Sequence, residues 1–115
     1  MEIQQITVTG LVATTPRYLK AEDGNHILSF RYASTVGLDE HAISNWYTVT
    51  MFGDLAQNGL ESINKGERLV VMGELRIRDW DNGERAGTTV ELYAKAVGHD
   101  LTYGVSTHKR INRPE

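Results

Sequence analysis

Two tryptophans, one phenylalanine and three arginines are the side chains of this sequence whose types and spacing could do chemistry: Trp46, Phe52 and Trp80 with Arg31, Arg76 and Arg78. A flat aromatic ring accepts the face of any base, at roughly 1–3 kcal/mol per stacked base. A guanidinium neutralises a phosphate and releases its condensed counterions. Together these contacts hold a single nucleic-acid strand without reading its sequence. Successive side chains of a strand point to opposite faces. Trp46 and Phe52, six residues apart, therefore share a face and lie about 20 Å apart at ~3.3 Å per residue. Arg76, Arg78 and Trp80 share a face by the same rule, and Arg31 points away from the apolar trio Leu28, Phe30 and Tyr32.

Each residue also has a plainer reading. Large aromatics are usually buried, so Trp46 and Phe52 could be core or interface residues. Charged strand faces are often simply solvated, which is the alternative for Arg76 and Arg78. Trp80 sits among Asp79, Asp81 and Asn82 beside a turn, where a core role is awkward. Those two carboxylates would repel phosphates, which counts against the site. Tyr18, Tyr32, Tyr47, Tyr93 and Tyr103 are assigned to core and interface packing, with Tyr47 facing away from Trp46 toward a subunit contact.

The elements that must position these side chains follow from the apolar pattern. Alternation over 6–12 marks a first strand, and Pro16 interrupts it because proline cannot donate to a central ladder. Glu22-Asp23-Gly24-Asn25 is a turn signal, and 26–34 reads as the second strand. The third, 45–52, is rich in β-branched and aromatic residues. Gly53 stops it, and Asp54 is expected to cap a helix over 54–64 with Leu55, Gly59, Leu60 and Ile63 as its apolar stripe. A fourth strand runs from 68 to 78 and alternates on to Trp80. Asp81-Asn82-Gly83-Glu84 turns the chain into a fifth strand, 88–97.

The chain has 115 residues, enough for one domain, and 40% of them are hydrophobic while 23% are charged, the balance of a folded core. No run approaches the roughly 18 apolar residues of a membrane span, and the start lacks a secretory pattern. With no cysteine, disulfides and thiolate metal sites are excluded. The net charge is −3, made of −5 up to residue 107 and +2 from 108 onward. A nucleic-acid site must then be a local basic stripe on an acidic body. The expected organisation is one domain over 1–107 and a flexible basic tail over 108–115, in the cytoplasm.

Strands in this order, with a single helix before the fourth, are the order of an OB-fold: all-β with one short helix, closed as a five-stranded barrel. Several segments then resemble the bacterial single-stranded DNA-binding protein family from about Ile6 to Tyr103. They are Gly10 and Pro16, Ser29-Phe-Arg-Tyr-Ala-Ser34, Trp46, Met51-Phe-Gly-Asp-Leu-Ala56, Lys65-Gly66 and Gly73-Glu-Leu-Arg-Ile-Arg-Asp-Trp80. The resemblance implies a homotetramer, arranged as a dimer of dimers, that binds and protects single-stranded DNA in replication, repair or recombination. Trp46, Phe52 and Trp80 match the family's stacking positions, and Arg76 and Arg78 its basic residues. Two departures stand out. A further family aromatic is replaced by Leu38 or lost in the loop. The family's acidic tail tip, which recruits replication and repair proteins, has no counterpart in a chain ending Ile111-Asn-Arg-Pro-Glu115, as in a tail-less paralogue or a truncated form.

No cofactor or metal is expected. Four histidines in four separate segments form no HExxH motif, histidine pair or nucleophile elbow. Asp39-Glu40-His41 could ligate an ion, but sequence neighbours on a loop rarely converge. The rival to nucleic-acid binding is a protein-interaction OB module, an adaptor of the primosome type with weak or no nucleic-acid binding. An oligonucleotide hydrolase lacks every motif it would need.

Overall fold

A computed structural model describes residues 1–111. Its elements are β1 (Gln5–Val12), β2 (Arg17–Lys20), β3 (His26–Val36), β4 (Ile43–Phe52), α1 (Gly53–Ser62), β5 (Arg68–Asp81) and β6 (Ala86–His99), with a short 3-10 turn at Asp39–His41. The strands form one sheet in the order β1-β5-β6-β4-β3-β2, and a further β1–β3 pairing closes the five-stranded ring expected for an OB-fold. Closure rests on β1, whose first part pairs with β5 while Leu11 and Val12 face Ala33 and Tyr32 of β3.

The interior follows the alternation. Leu28, Phe30 and Tyr32 of β3, Val49 and Met51 of β4, and Leu69 and Val71 of β5 all point inward and are buried. The Tyr32 hydroxyl lies 2.8 Å from the Val8 carbonyl and 2.7 Å from that of Leu69, so its one proton serves two strands across the closing seam. Burial pushes the Tyr32 phenol well above its ordinary pKa. Tyr47 is half-buried, tilted against Tyr32 with ring centroids 6.5 Å apart.

Helix α1 plugs one end of the ring. Ala56, Gly59 and Ile63 face the core. A Cβ on Gly59 would come within 2.6 Å of Met51 Cε and 3.0 Å of Leu28 Cδ2, so any larger residue there must push those side-chain ends aside. Leu60, expected on the apolar stripe, is exposed instead. The expected Asp54 cap is also displaced. Phe52 takes the cap position and Gly53 turns the chain at φ 65, a left-handed value that suits glycine. Asp54 falls in the first turn, where its charge favours the positive end of the helix.

Three features of the sheet depart from the expected pattern. β2 is a sixth strand, hydrogen-bonded to β3 outside the ring. All four of its residues are exposed, so no inward-facing alternation marked it. The β5–β6 hairpin runs longer than predicted, to Asp81 and from Ala86, and projects past the ring. Ile77, on the inward parity of β5, is exposed there because no core lies beneath it. Finally, β6 carries a bulge: Met72 pairs with Ala96 but Gly73 with Ala94, so Lys95 has no partner. The bulge lets Leu92 and Val97, of opposite parity, both face the core.

Beyond β6 the chain is irregular but tied down. Asp100 pairs with Arg68 at 3.6 Å, and the Arg68 guanidinium sits 5.9 Å from the Tyr103 ring centroid. His99 lies between Glu67 at 3.1 Å and the Ser106 hydroxyl at 2.8 Å. Glu67 is held below the ordinary carboxylate range: burial acts against this, but the Asn64 backbone N–H and His99 outweigh it. Of the basic tail, Lys109 and Arg110 are exposed, while Arg113 and Glu115 lie outside the described residues.

Candidate nucleic-acid interface

Pairing register carries side chains from four strands onto one outer face. Arg31 of β3 lies opposite Thr48 of β4, Thr48 opposite Glu91 of β6, and Glu91 opposite Arg76 of β5. The adjacent row reads Ser29, Thr50, Tyr93 and Glu74. The parallel β4–β6 pairing makes both rows continuous, and the α1 connection between β4 and β5 makes that parallel pairing possible.

Within this face the predicted residues fall into groups. Arg31 donates from Nη1 to the Thr48 hydroxyl at 2.8 Å and places its guanidinium 5.6 Å from the Trp46 ring centroid. The cation is thus spread over the indole, and Trp46 remains 47% exposed. Phe52, 43% exposed, stacks on Tyr93 with centroids 6.0 Å apart and an interplanar angle of 14°. Arg76 reaches the same tyrosine, its guanidinium 4.5 Å from the ring centroid. Arg78 joins this group through Glu91, to which its Nη2 donates at 2.7 Å.

Trp80 stands apart on the projecting hairpin, 42% exposed. It pairs with Gly87, and a Cβ there would come 2.8 Å from indole Cζ2. The bare glycine backbone is therefore what allows the ring to lie across β6. Around it opens a shallow cleft of about 510 Å³, flanked by Asp79, Asp81 and Thr88.

Two residues of this face were not anticipated. Tyr93, assigned to packing, lies on the outer face between Phe52 and Arg76. Leu92 beside it points inward, so the parity was readable, but nothing singled out this tyrosine among five. Glu91 is the other. Its Oε1 accepts from Arg78, and its Oε2 accepts from the Tyr93 hydroxyl at 2.8 Å. That hydrogen bond, with burial and the Glu91 charge, raises the Tyr93 pKa. Arg76 in turn donates to Glu74 at 3.0 Å, which raises its own pKa.

The acids that attend the arginines are therefore Glu74 and Glu91. Asp79 and Asp81 alternate away from Trp80 and have other partners. Asp79 accepts from the Thr88 hydroxyl at 2.7 Å, and Asp81 from the Gly83 backbone N–H at 2.8 Å. Leu38 sits 82% exposed at the tip of the β3–β4 hairpin. The Asp39–His41 turn places only His41 and Glu40 together, 3.8 Å apart. Among the described residues no three acidic or histidine side chains group to hold a metal, and no helix is long and apolar enough to cross a membrane.

A closed five-stranded ring, plugged by one helix and carrying rings and cations on an open strand face, defines the OB-fold class of binding domain. The chain belongs to the single-strand binding protein family, whose model matches residues 3–100. It is 42% identical over 118 residues to single-stranded DNA-binding protein 2 of Tropheryma whipplei, an alignment covering 94% of this chain and 76% of that one. The crystal structure of a small single-stranded DNA-binding protein from Streptomyces coelicolor superposes with a TM-score of 0.81 at 32% identity, covering 90% of this chain and all of the other. The second single-stranded DNA-binding protein of Mycobacterium smegmatis gives 0.77 at 30% identity over 95% of this chain.

Proposed function

We propose that this protein binds and protects single-stranded DNA, the ligand for which its family is named, by stacking bases on Trp46, Phe52 and Trp80 while Arg31, Arg76 and Arg78 meet the phosphates. The observation that carries this reading is the alignment in register of aromatic rings and guanidinium groups from β3, β4, β5 and β6 on one open face. Tyr93 extends the stacking surface beside Phe52. The role is non-catalytic, exercised in the cytoplasm wherever replication, repair or recombination exposes single strands.

Both tryptophans lie in the proposed site, so intrinsic emission reports on it directly. Adding unlabelled oligothymidylate should quench tryptophan fluorescence saturably, while a duplex of equal length should not. Unchanged emission with no binding to a labelled single strand would refute the reading and leave the protein-interaction module in its place.

The working form we propose is a homotetramer, built as a dimer of dimers. Closed symmetry is the common solution for soluble assemblies, and exposed apolar residues such as Ile3, Leu11, Val36 and Ile43 offer surface to cover. Equilibrium sedimentation should give about four times the 12.9 kDa chain mass at micromolar concentration. A monomer mass would refute the assembly.

A further inference from the structure

The two arginines that precede Trp80 on its face of β5 already have anionic partners. Arg78 is 68% exposed, but the Glu91 side chain it binds is only 13% exposed, and the Arg76–Glu74 pair repeats the pattern at 58% and 21%. Each cation reaches toward solvent from a carboxylate set back in the sheet. Glu91 is the more constrained acid because its second oxygen accepts from Tyr93, which also touches Phe52 and Arg76.

From this geometry we infer that Glu91 is a built-in competitor for the phosphate backbone. It occupies Arg78 when no strand is bound and opposes the strand when one is. The inference rests on the single-strand reading above. A phosphate that takes over Arg78 leaves Glu91 with one donor of its two and brings a second anion close to it. Part of each phosphate's attraction to Arg78 is therefore offset by the protein itself. Fewer counterions are displaced in net terms than the number of cations on the face suggests. The consequence is a strand held loosely enough to exchange, with more of its affinity coming from stacking.

Glu91→Gln tests this, because the amide keeps an acceptor for Tyr93 or Arg78 and removes only the charge. Binding of a labelled oligothymidylate would be titrated against salt for the unaltered protein, Glu91→Gln and Glu61→Gln. The last makes the same charge change on α1, outside the four strands of the face. The expected result is that Glu91→Gln binds about threefold tighter at low salt, a gain of the size typical for one ion pair. Its slope of log affinity against log salt should be steeper by about 0.7, with the gain fading at high salt, while Glu61→Gln leaves the slope unchanged. Equal or weaker binding by Glu91→Gln at every salt concentration, with an unchanged thermal midpoint, would overturn the competitor role and leave Glu91 as a brace for Tyr93. So would an equal gain from Glu61→Gln. If neither the unaltered protein nor Glu91→Gln binds, the single-strand reading fails and takes this inference with it.

Discussion

Gly73→Ala is expected to destabilise the fold by about 3 kcal/mol, the upper end of the usual cost of overpacking a buried site. An ideal Cβ on Gly73 would stand 2.2 Å from the Tyr93 carbonyl oxygen and 2.9 Å from the Ala94 Cα. Both are backbone atoms, so no side-chain rotation relieves the clash; β5 and β6 must part where they meet at the bulge. With roughly 2.1 cal/mol/K per residue of unfolding entropy, this corresponds to a thermal midpoint lower by about 12 °C. Calorimetry checks it, and Gly98→Ala provides the comparison. Gly98 lies on β6, the strand that Gly73 faces, with no heavy atom within 4 Å of its would-be Cβ, and should tolerate the change. A Gly73→Ala midpoint within a few degrees of the unaltered protein would show that the bulge is softer than its geometry implies. Because the clash falls on the Tyr93 peptide, the same variant should also displace the ring stacked on Phe52.

The second large effect is on affinity, and it separates the two kinds of contact. Trp80→Ala should weaken binding of oligothymidylate by about 1–3 kcal/mol, or roughly fivefold to 150-fold, the usual value of one stacked base. Its salt slope should stay close to that of the unaltered protein, since no cation is lost. Changing Arg76 and Arg78 together to alanine should instead flatten the slope, by about 0.7 per phosphate contact removed. The double change also leaves Glu74 and Glu91 without the arginines they hold, so the loss should be largest at low salt, where screening is weakest. If Trp80→Ala leaves affinity intact while the double arginine change abolishes it, the face works by charge alone and the stacking assignment is wrong.

Most of the ring was legible because the strands that form it obey one rule of alternation. Leu28, Phe30 and Tyr32 on β3 were set on one apolar face by parity and are inside. The same parity set Trp46, Phe52, Arg76, Arg78 and Trp80 outside, where the structure has them exposed. β2 was missed because its exposed residues carry no parity to read. Ile77 shows the converse: its parity on β5 is inward, yet it is exposed because the hairpin has outrun the core. The partners of the arginines were out of reach for another cause. Asp79 and Asp81 are sequence neighbours of Trp80, whereas Glu91 meets Arg78 only across the β5–β6 hairpin, in the register that its turn sets. Local sequence shows which charges are nearby in the chain, and register decides which are nearby in space.

The unpaired Lys95 also bears on how this chain can change length. Side chains on either side of it keep opposite parity, Val97 and Leu92 both inward. Deleting that one residue would keep every pairing and make β6 regular, whereas a residue added between Tyr93 and Ala94 without a second bulge would send Leu92 outward and Glu91 and Tyr93 into the ring. A whole aromatic and charged row would be lost without any of its members being altered. The turn joining β5 to β6 carries no such constraint. Its tip projects past the ring, and residues added or removed in symmetrical pairs there leave every face as it was. Descendants of this sequence are therefore free to vary the reach of the Trp80 hairpin and to lose Lys95, whereas a single residue gained between Tyr93 and Ala94 should be purged.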